Sequence, residues 1–376
     1  MAILRQPSLK GWQLRYWAYL TGLPTTGTKA ELQSSLTATV PQQRQGNTPR
    51  RLVSLDMGIR NLAYCVIEPR MPKEKPNQIS LVVHSWKRMD LLETAADNFT
   101  EDIAVETSQE RSIKRVKAKL AAPVTKDSFT PAVLSKTAYR VTKDLLSHEP
   151  DTLLIERQRF RSGGAAAIQE WTVRVNMLES MLWASLETLR QEGKKTDAFP
   201  TVLAVSPARV AQFWSSAASM SLKPPTLFDE DNGNVQTMIT HAMSDRRKID
   251  KKDKVDIVRS WVAGTSDLDL RFEGEAIKIA EAFRLDPRQS KDAVAMAGGK
   301  LDDLADCLLQ AVTWLIWEEN RAVLNKLWQK TVDEIKPSDL SEHNAQTAVH
   351  PFSPEWIATR IAFPGMTEKQ TADYLK

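Results

Sequence analysis

The 376-residue chain has only two cysteines, Cys65 and Cys307, so no disulfide framework is possible and a reducing compartment is the default. It has no Cys-x-x-Cys pair, and its five histidines (His84, His148, His241, His343 and His350) are scattered. A thiolate or imidazole zinc site is therefore not expected, and any metal would have to be held by carboxylates. No apolar run approaches the ~20 residues that cross a bilayer, so no membrane partner is expected. There is no Gly-x-Gly-x-x-Gly and no Walker loop, and a small-molecule cofactor is not expected. No Ser/His/Asp or Cys/His arrangement offers a side-chain nucleophile. No internal repeat marks a solenoid.

What is present is ordinary in amount and uneven in placement. Apolar residues make up 42% and charged residues 26%, the composition of a packed protein, and the length corresponds to two or three domains at about 150 residues each. Fifty-one Lys/Arg against 47 Asp/Glu leave a formal charge of only +4. Yet residues 1–30 hold Arg5, Lys10, Arg15 and Lys29 and no acid, and residues 109–143 hold nine Lys/Arg against Glu110 and Asp127. Such local excess points to a polyanionic partner; the plainer reading of either stretch alone is a solvated surface.

Residues 8–36 read as two short helices, the first ending at Thr21-Gly22-Leu23-Pro24. The second begins at Lys29, with Thr28 as N-cap and Glu31 three positions on, a capping box. A polar stretch with Pro and Gln over 39–50 reads as a linker. Strand signals then start abruptly at 52–56, 62–67 and 81–86, a sequence of runs that predicts an antiparallel meander. A helix is predicted over 131–147, a buried strand over 152–155, a long helix over 165–192 and a strand over 201–205. The rest, to 330, reads as mostly helical with a polar insertion near 221–250. The pattern is α/β on a mixed five-stranded sheet flanked by helices, its strand order open. Residues 331–376 form an extension that the pattern does not place.

Three acidic features punctuate this order. Asp56 ends one apolar strand and Glu156 another; an acid there faces a cleft at the sheet edge, although Asp also caps turns. The third feature opens the last helix. Leu301, Leu304, Ala305, Leu308, Val312 and Leu315 fall within about 100° of arc, and Asp302, Asp303 and Asp306 within about 100° on the opposite side. Acids in a first turn suit the helix dipole, but three in five residues repel one another, and a divalent cation would remove the repulsion. Two strand-end acids and an acidic helix face are what two-metal phosphodiester hydrolysis requires. Mg²⁺ takes oxygen ligands, and two ions about 3.5–4 Å apart activate water and stabilise the leaving oxygen.

Leu52-Val53-Ser54-Leu55-Asp56-Met57-Gly58-Ile59-Arg60-Asn61, Leu154-Ile155-Glu156-Arg157-Gln158 and Leu301-Asp302-Asp303-Leu304-Ala305-Asp306, in that order, resemble the three catalytic blocks of RNase H-like junction resolvases. The resemblance is to the fungal mitochondrial Holliday junction resolvases, relatives of RuvC, and spans roughly 52–320. Residues 9–36 resemble a SAP motif, a helix–loop–helix DNA-binding module. The division implied is a SAP-like segment over 1–38, a linker over 39–50 and a nuclease domain over 51–330.

The resemblance implies a homodimer that binds four-way DNA junctions and resolves them by paired, symmetric nicks in mitochondrial DNA recombination and segregation. It implies two Mg²⁺ ions per site, with Mn²⁺ able to substitute. Asp56 and Glu156 would be catalytic ligands. On the last helix the RuvC-like spacing selects Asp303 with Asp306, and the fungal pattern also permits Asp302 with Asp306. Localisation in the mitochondrion rests on the resemblance, because the acid-free residues 1–30 are compatible with an import signal but also carry the SAP-like helices. The alternatives are a non-catalytic junction-binding protein and another RNase H-like nuclease acting on RNA–DNA hybrids or strand ends.

For DNA contacts, Arg157, Arg159 and Arg161 alternate around Gln158 and Phe160 directly after Glu156. Arginines there can clamp phosphates, and Phe160 can stack on an unpaired base or simply pack in the core. Lys251, Lys252 and Lys254 belong to a cluster of seven Lys/Arg and four Asp over 244–259, and Lys29 opens the second SAP-like helix.

Overall fold

The computed structural model describes residues 11–39, 51–70, 80–92, 129–158, 170–193, 199–222, 249–265, 268–285 and 301–334. The expected linker beyond Thr39, the basic run 109–128, most of the polar insertion and the extension past Glu334 lie outside the described residues.

The strands β1 (Leu52–Asp56), β2 (Leu62–Arg70) and β3 (Ser80–Met89) form the expected antiparallel meander. β4 (Thr152–Glu156) runs parallel beside β1, and β5 (Thr201–Val205) parallel beside β4. β1 and β4 are buried along nearly their whole length, which is why they read as continuous apolar runs. The sheet order is β5-β4-β1-β2-β3-β6. The first five strands thus lie in the spatial order 3-2-1-4-5 with only β2 reversed, the RNase H-like arrangement.

The sheet has six strands and not five. β6 (Asp269–Phe272) joins the outer edge parallel to β3, with Ser80 beside Asp269 and Val83 beside Phe272. Its four residues, Asp-Leu-Arg-Phe, are too short and too charged to stand out as a strand by pattern. The Ser80 hydroxyl donates to Asp269 at 2.8 Å.

Helices cover both faces. α3 (Pro131–Ser147) and α4 (Glu170–Glu192) pack on one, against Val53, Leu55, Tyr64 and Leu153. On the other face lie α5 (Pro207–Leu222), α6 (Lys251–Val262), α7 (Ala276–Arg284) and the 34-residue α8 (Leu301–Glu334). The predicted stripe of α8, from Leu301 to Leu315, is buried at every position. Trp86 of β3 pins the start of α8, its indole N–H donating to the Leu304 carbonyl at 3.0 Å, and stacks on Phe283 of α7 with ring centroids 4.8 Å apart.

The helices α1 (Gly11–Leu20) and α2 (Lys29–Thr39) belong to this second core, with Trp17, Leu20 and Leu36 buried in it. The capping box forms: the Thr28 N–H donates to Glu31 Oε2 at 2.7 Å and the Glu31 N–H to Thr28 Oγ1 at 3.3 Å. α1 ends in a Schellman turn, the Leu23 N–H donating to the Ala18 carbonyl and the Gly22 N–H to the Tyr19 carbonyl. The carbonyls of this turn point at cations and an amide of α5 and α8. Arg321 donates twice to the Thr21 oxygen at 3.1 and 2.7 Å, Arg209 to the Gly22 oxygen at 2.9 Å and Asn320 to the Leu20 oxygen at 2.7 Å.

Gly22 is where this docking is most exacting. Its φ is +73°, and a Cβ there would lie 2.3 Å from the Trp317 ring. Gly22→Ala therefore combines left-handed strain with a collision against a buried indole, and should cost roughly 2 kcal/mol. Thermal melts check this; an unchanged midpoint would show that the segment 11–39 does not depend on its seat against α8.

Candidate active site

β1 and β4 run in register, with Leu55 beside Ile155, so Asp56 and Glu156 end neighbouring strands at one level. Leu52 and Leu154 sit in the core beneath α8, and the two-residue alternation carries Ser54, Asp56 and Glu156 onto the same face. Gln310, buried mid-helix in α8, donates to the Ser54 hydroxyl at 3.0 Å and the Leu55 carbonyl at 3.3 Å, which locks α8 to β1 one turn past the acids. The first turns of α8 therefore overhang the ends of β1 and β4.

Asp56 and Glu156 are hydrogen-bonded through their side chains. Burial, then this bond and the charge of Glu156, then the charges of Asp306 and Asp303, push the Asp56 carboxyl well above the usual carboxylate range. A hydrogen bond between two carboxyl groups requires a proton on one of them, and like charges at close range favour keeping it.

Each acid of α8 meets a cation from a different part of the chain. Lys254 Nζ lies 2.7 Å and 2.9 Å from the two oxygens of Asp306. Lys251, one turn earlier on α6, pairs with Asp302. Arg88 Nε of β3 lies 3.3 Å from Asp303 Oδ2. Even with Lys254 in place, burial raises the Asp306 carboxyl to about 6, with Glu156 and Asp302 adding to the rise.

The structure thus brings Asp56, Glu156, Asp303 and Asp306 into mutual electrostatic reach, with Asp302 at the rim beside Lys251. Lys251 and Lys254 face the acids, and Lys252 is exposed. Arg157 is exposed just past Glu156, its N–H donating to the Val205 carbonyl at 2.9 Å. The Gln158 N–H donates to Glu179 Oε2 at 3.2 Å. Burial raises the Glu179 carboxyl, and Glu156 adds to this. Arg159, Phe160 and Arg161 lie outside the described residues. Lys29 is exposed at the start of α2. A cleft opens beside the acids, lined by Glu156, Asp306, Lys254, Gln310, Val210 and Trp214 among others.

Sequence reasoning missed Arg88, Glu179 and Gln310. Gln310 carried a signal, as a polar residue in the otherwise apolar run 307–312. Arg88 and Glu179 carried none, because their relevance depends on strand register and helix docking.

The donor set suits a hard divalent cation: every candidate ligand is a carboxylate oxygen, and Asp56 and Asp306 are destabilised in their charged forms. Among the described residues no group of three or more His, Cys, Asp or Glu stands ready to hold a metal ion as it is. The physical reason is visible. The strand acids are hydrogen-bonded to each other, and the helix acids are held by two lysines and an arginine.

The raised Asp306 value fixes a sign. A carboxyl whose folded value, about 6, lies above its ordinary 3.8 binds its proton more tightly when folded. Its ionised form therefore costs stability above about pH 6, and the cost fades as pH falls toward 4. Asp306→Asn should stabilise the metal-free protein at pH 8 by about 1–2 kcal/mol, the lower part of what the shift allows because the side chain is partly exposed, and by nothing near pH 4. Melts in EDTA at the two pH values check this. Destabilisation at pH 8 would mean that the Lys254 pair outweighs burial.

Comparison with known proteins agrees with this architecture. Residues 52–324 match the family model described as "Mitochondrial resolvase Ydc2 / RNA splicing MRS1". The mitochondrial cruciform cutting endonuclease 1 of Schizosaccharomyces pombe is 27% identical over 309 residues, covering 81% of this chain and 91% of that protein. The protein of the same name in Saccharomyces cerevisiae is 23% identical over 293 residues, 73% of this chain and 71% of that one. The crystal structure of the yeast mitochondrial Holliday junction resolvase Ydc2 superposes with a TM-score of 0.50 at 23% identity, covering 86% of this chain and 99% of that structure, and shares its fold. With nearly three-quarters of its length matched, this chain belongs to the mitochondrial resolvase family of Ydc2.

Proposed function

We propose that this chain is a mitochondrial, Mg²⁺-dependent endonuclease that binds four-way DNA junctions as a homodimer and resolves them by paired, symmetric nicks, in mitochondrial DNA recombination and segregation. One observation carries the reading: four carboxyl groups from β1, β4 and α8 converge at one end of the sheet, two of them held above the usual carboxylate range. A protein that only clamps junctions has no use for that arrangement, which costs stability and repels phosphate. The names of the relatives, a cruciform cutting endonuclease and a Holliday junction resolvase, support the substrate.

The acids proposed to act are Asp56, Glu156 and Asp306, with Asp302 or Asp303 completing the set. When bound, two divalent ions would supply the positive charge that a phosphodiester needs to be attacked by water. The chain does the rest. The hydrogen bond between Asp56 and Glu156 would be replaced by a bound metal. Lys251 and Lys254, no longer needed by Asp302 and Asp306, turn their ammonium groups toward the DNA backbone. Arg157 and the Gln158 loop flank the strand end on the other side. Lys29 on α2 adds a phosphate contact at a distance from the chemistry.

Asp56→Asn should abolish Mg²⁺-dependent nicking of a labelled four-way junction, by at least about 100-fold, while leaving junction binding in EDTA intact or tighter, since a carboxylate facing phosphate repels it. A linear duplex and an RNA–DNA hybrid run alongside separate the readings, and the hybrid matters because the family description includes RNA splicing. Junction-selective paired nicks by the wild type support the resolvase. Cutting of the hybrid alone, or persistent cutting by Asp56→Asn, would refute it.

Lys29→Ala should weaken junction binding a few-fold and lower the slope of log affinity against log salt by about 1, with the melting temperature unchanged. An unaltered slope would remove α2 from the DNA surface.

A further inference from the structure

We propose that Arg88 is a positioning residue of this site: it holds Asp303 of α8 and the turn that follows Asp56 in one fixed relation, and so sets the geometry into which the metal is received. The inference rests on the metal-dependent reading above and extends it to a residue on a strand that carries none of the catalytic acids.

The strand register makes the case. Asp56 of β1 stands opposite Ala63 of β2, and Ala63 stands opposite Arg88 of β3. Directly paired residues share a face, and Ala63 and Trp86 both lie in the core beneath α8. Glu156, Asp56, Ala63 and Arg88 therefore form one row across four strands, all facing α8. At about 4.8 Å per strand, Arg88 stands roughly 10 Å from Asp56 along that row. Ala63, between them, is a small residue, and Arg88 a long one.

The guanidinium then reaches two elements at once. Its Nε faces Asp303 at 3.3 Å, and Nη2 donates to the Arg60 carbonyl at 3.2 Å and to the Asn61 side-chain oxygen. Arg60 and Asn61 lie in the turn between β1 and β2, four and five residues past Asp56. The guanidinium thus links the loop leaving the first acid, by hydrogen bonds, to the helix that supplies the others, by an ion pair without hydrogen-bond geometry. A lysine, a point charge, cannot reproduce this geometry.

Burial separates Arg88 from the other two cations. The Arg88 and Asp303 side chains are 15% and 17% exposed, against 26% for Lys254 and 79% for Lys251. An exposed ammonium leaves its carboxylate cheaply when a stronger cation arrives. A guanidinium enclosed with three partners does not, because leaving would strand a buried charge. Lysines are exchanged and the arginine stays, as a partner behind the metal-facing groups.

The test uses the full chain with Arg88→Gln, Arg88→Lys, Asp303→Asn and the double variant Arg88→Gln/Asp303→Asn. Two midpoints are read: the Mg²⁺ concentration for half-maximal junction cutting, and the Mg²⁺ concentration that half-saturates the rise in melting temperature, which needs no DNA. Arg88→Gln should raise both midpoints about tenfold with junction binding in EDTA unchanged. Arg88→Lys should recover less than half of the loss, and the double variant should be no worse than the poorer single one. Wild-type midpoints in Arg88→Gln, or additive losses in the double variant, overturn the proposal. So does a lower metal-free melting temperature with normal midpoints, which would make Arg88 a structural staple. Should Arg88→Gln not fold, Arg88→Lys carries the same comparison. A wild type that shows a Mg²⁺-dependent melting shift but does not cut junctions would sink the resolvase reading and leave the Arg88 test standing. A wild type without any such shift would sink both.

Discussion

The structure turns on the proximity of acids that would rather be apart. Asp56 and Glu156 end adjacent parallel strands on the same face, so the backbone register forces their carboxyl groups together, and α8 closes over them with three more acids. Burial strips away the water that would screen these charges. The fold answers with a hydrogen bond at the strand ends and with three cations, one for each acid in the first turns of α8. Without a metal the corner is balanced but tense, a state suited to taking up divalent charge.

Holding that corner in place requires α8 to be immobile, and much of the molecule serves this end. Gln310 bonds to β1, Trp86 caps the first turn from β3, and the stripe from Leu301 to Leu315 is buried against the sheet. The far part of α8 is braced by the N-terminal helices, through Arg321 and Asn320 to the end of α1 and through Trp317 against Gly22. The segment that resembles a DNA-binding module therefore also buttresses the catalytic helix. α1, α2 and the start of α8 share one hydrophobic core.

Cation placement links this electrostatics to function. Lys251 and Lys254 sit at the start of α6, where Asp250 forms a capping box with Asp253 and fixes the helix end. They neutralise Asp302 and Asp306 from the solvent side, along the path by which a phosphate would arrive. Arg88 neutralises Asp303 from the sheet side. The three cations thus divide into a pair from α6 and one from β3.

Much of this was legible along the chain. The apolar runs at 52–56 and 152–156, the Thr28–Glu31 capping box and the two-sided pattern of 301–315 are local, because each depends on residues within a few positions of one another, and each forms as its periodicity dictates. The acids were visible for the same reason: each ends or opens such an element. What no periodicity encodes is which distant residues meet. Lys254 and Asp306 are 52 positions apart, and Arg321 and Thr21 are 300 apart. β6 joins the sheet only because the edge of β3 offers it unpaired backbone groups and an apolar neighbour in Trp86. The row from Glu156 to Arg88 exists only once two hairpin registers and a parallel crossover are set. Local pattern determined the elements and the acids at their ends; the packing of those elements alone decided which charges answer which, because Coulomb energy depends on distance in space and not along the chain.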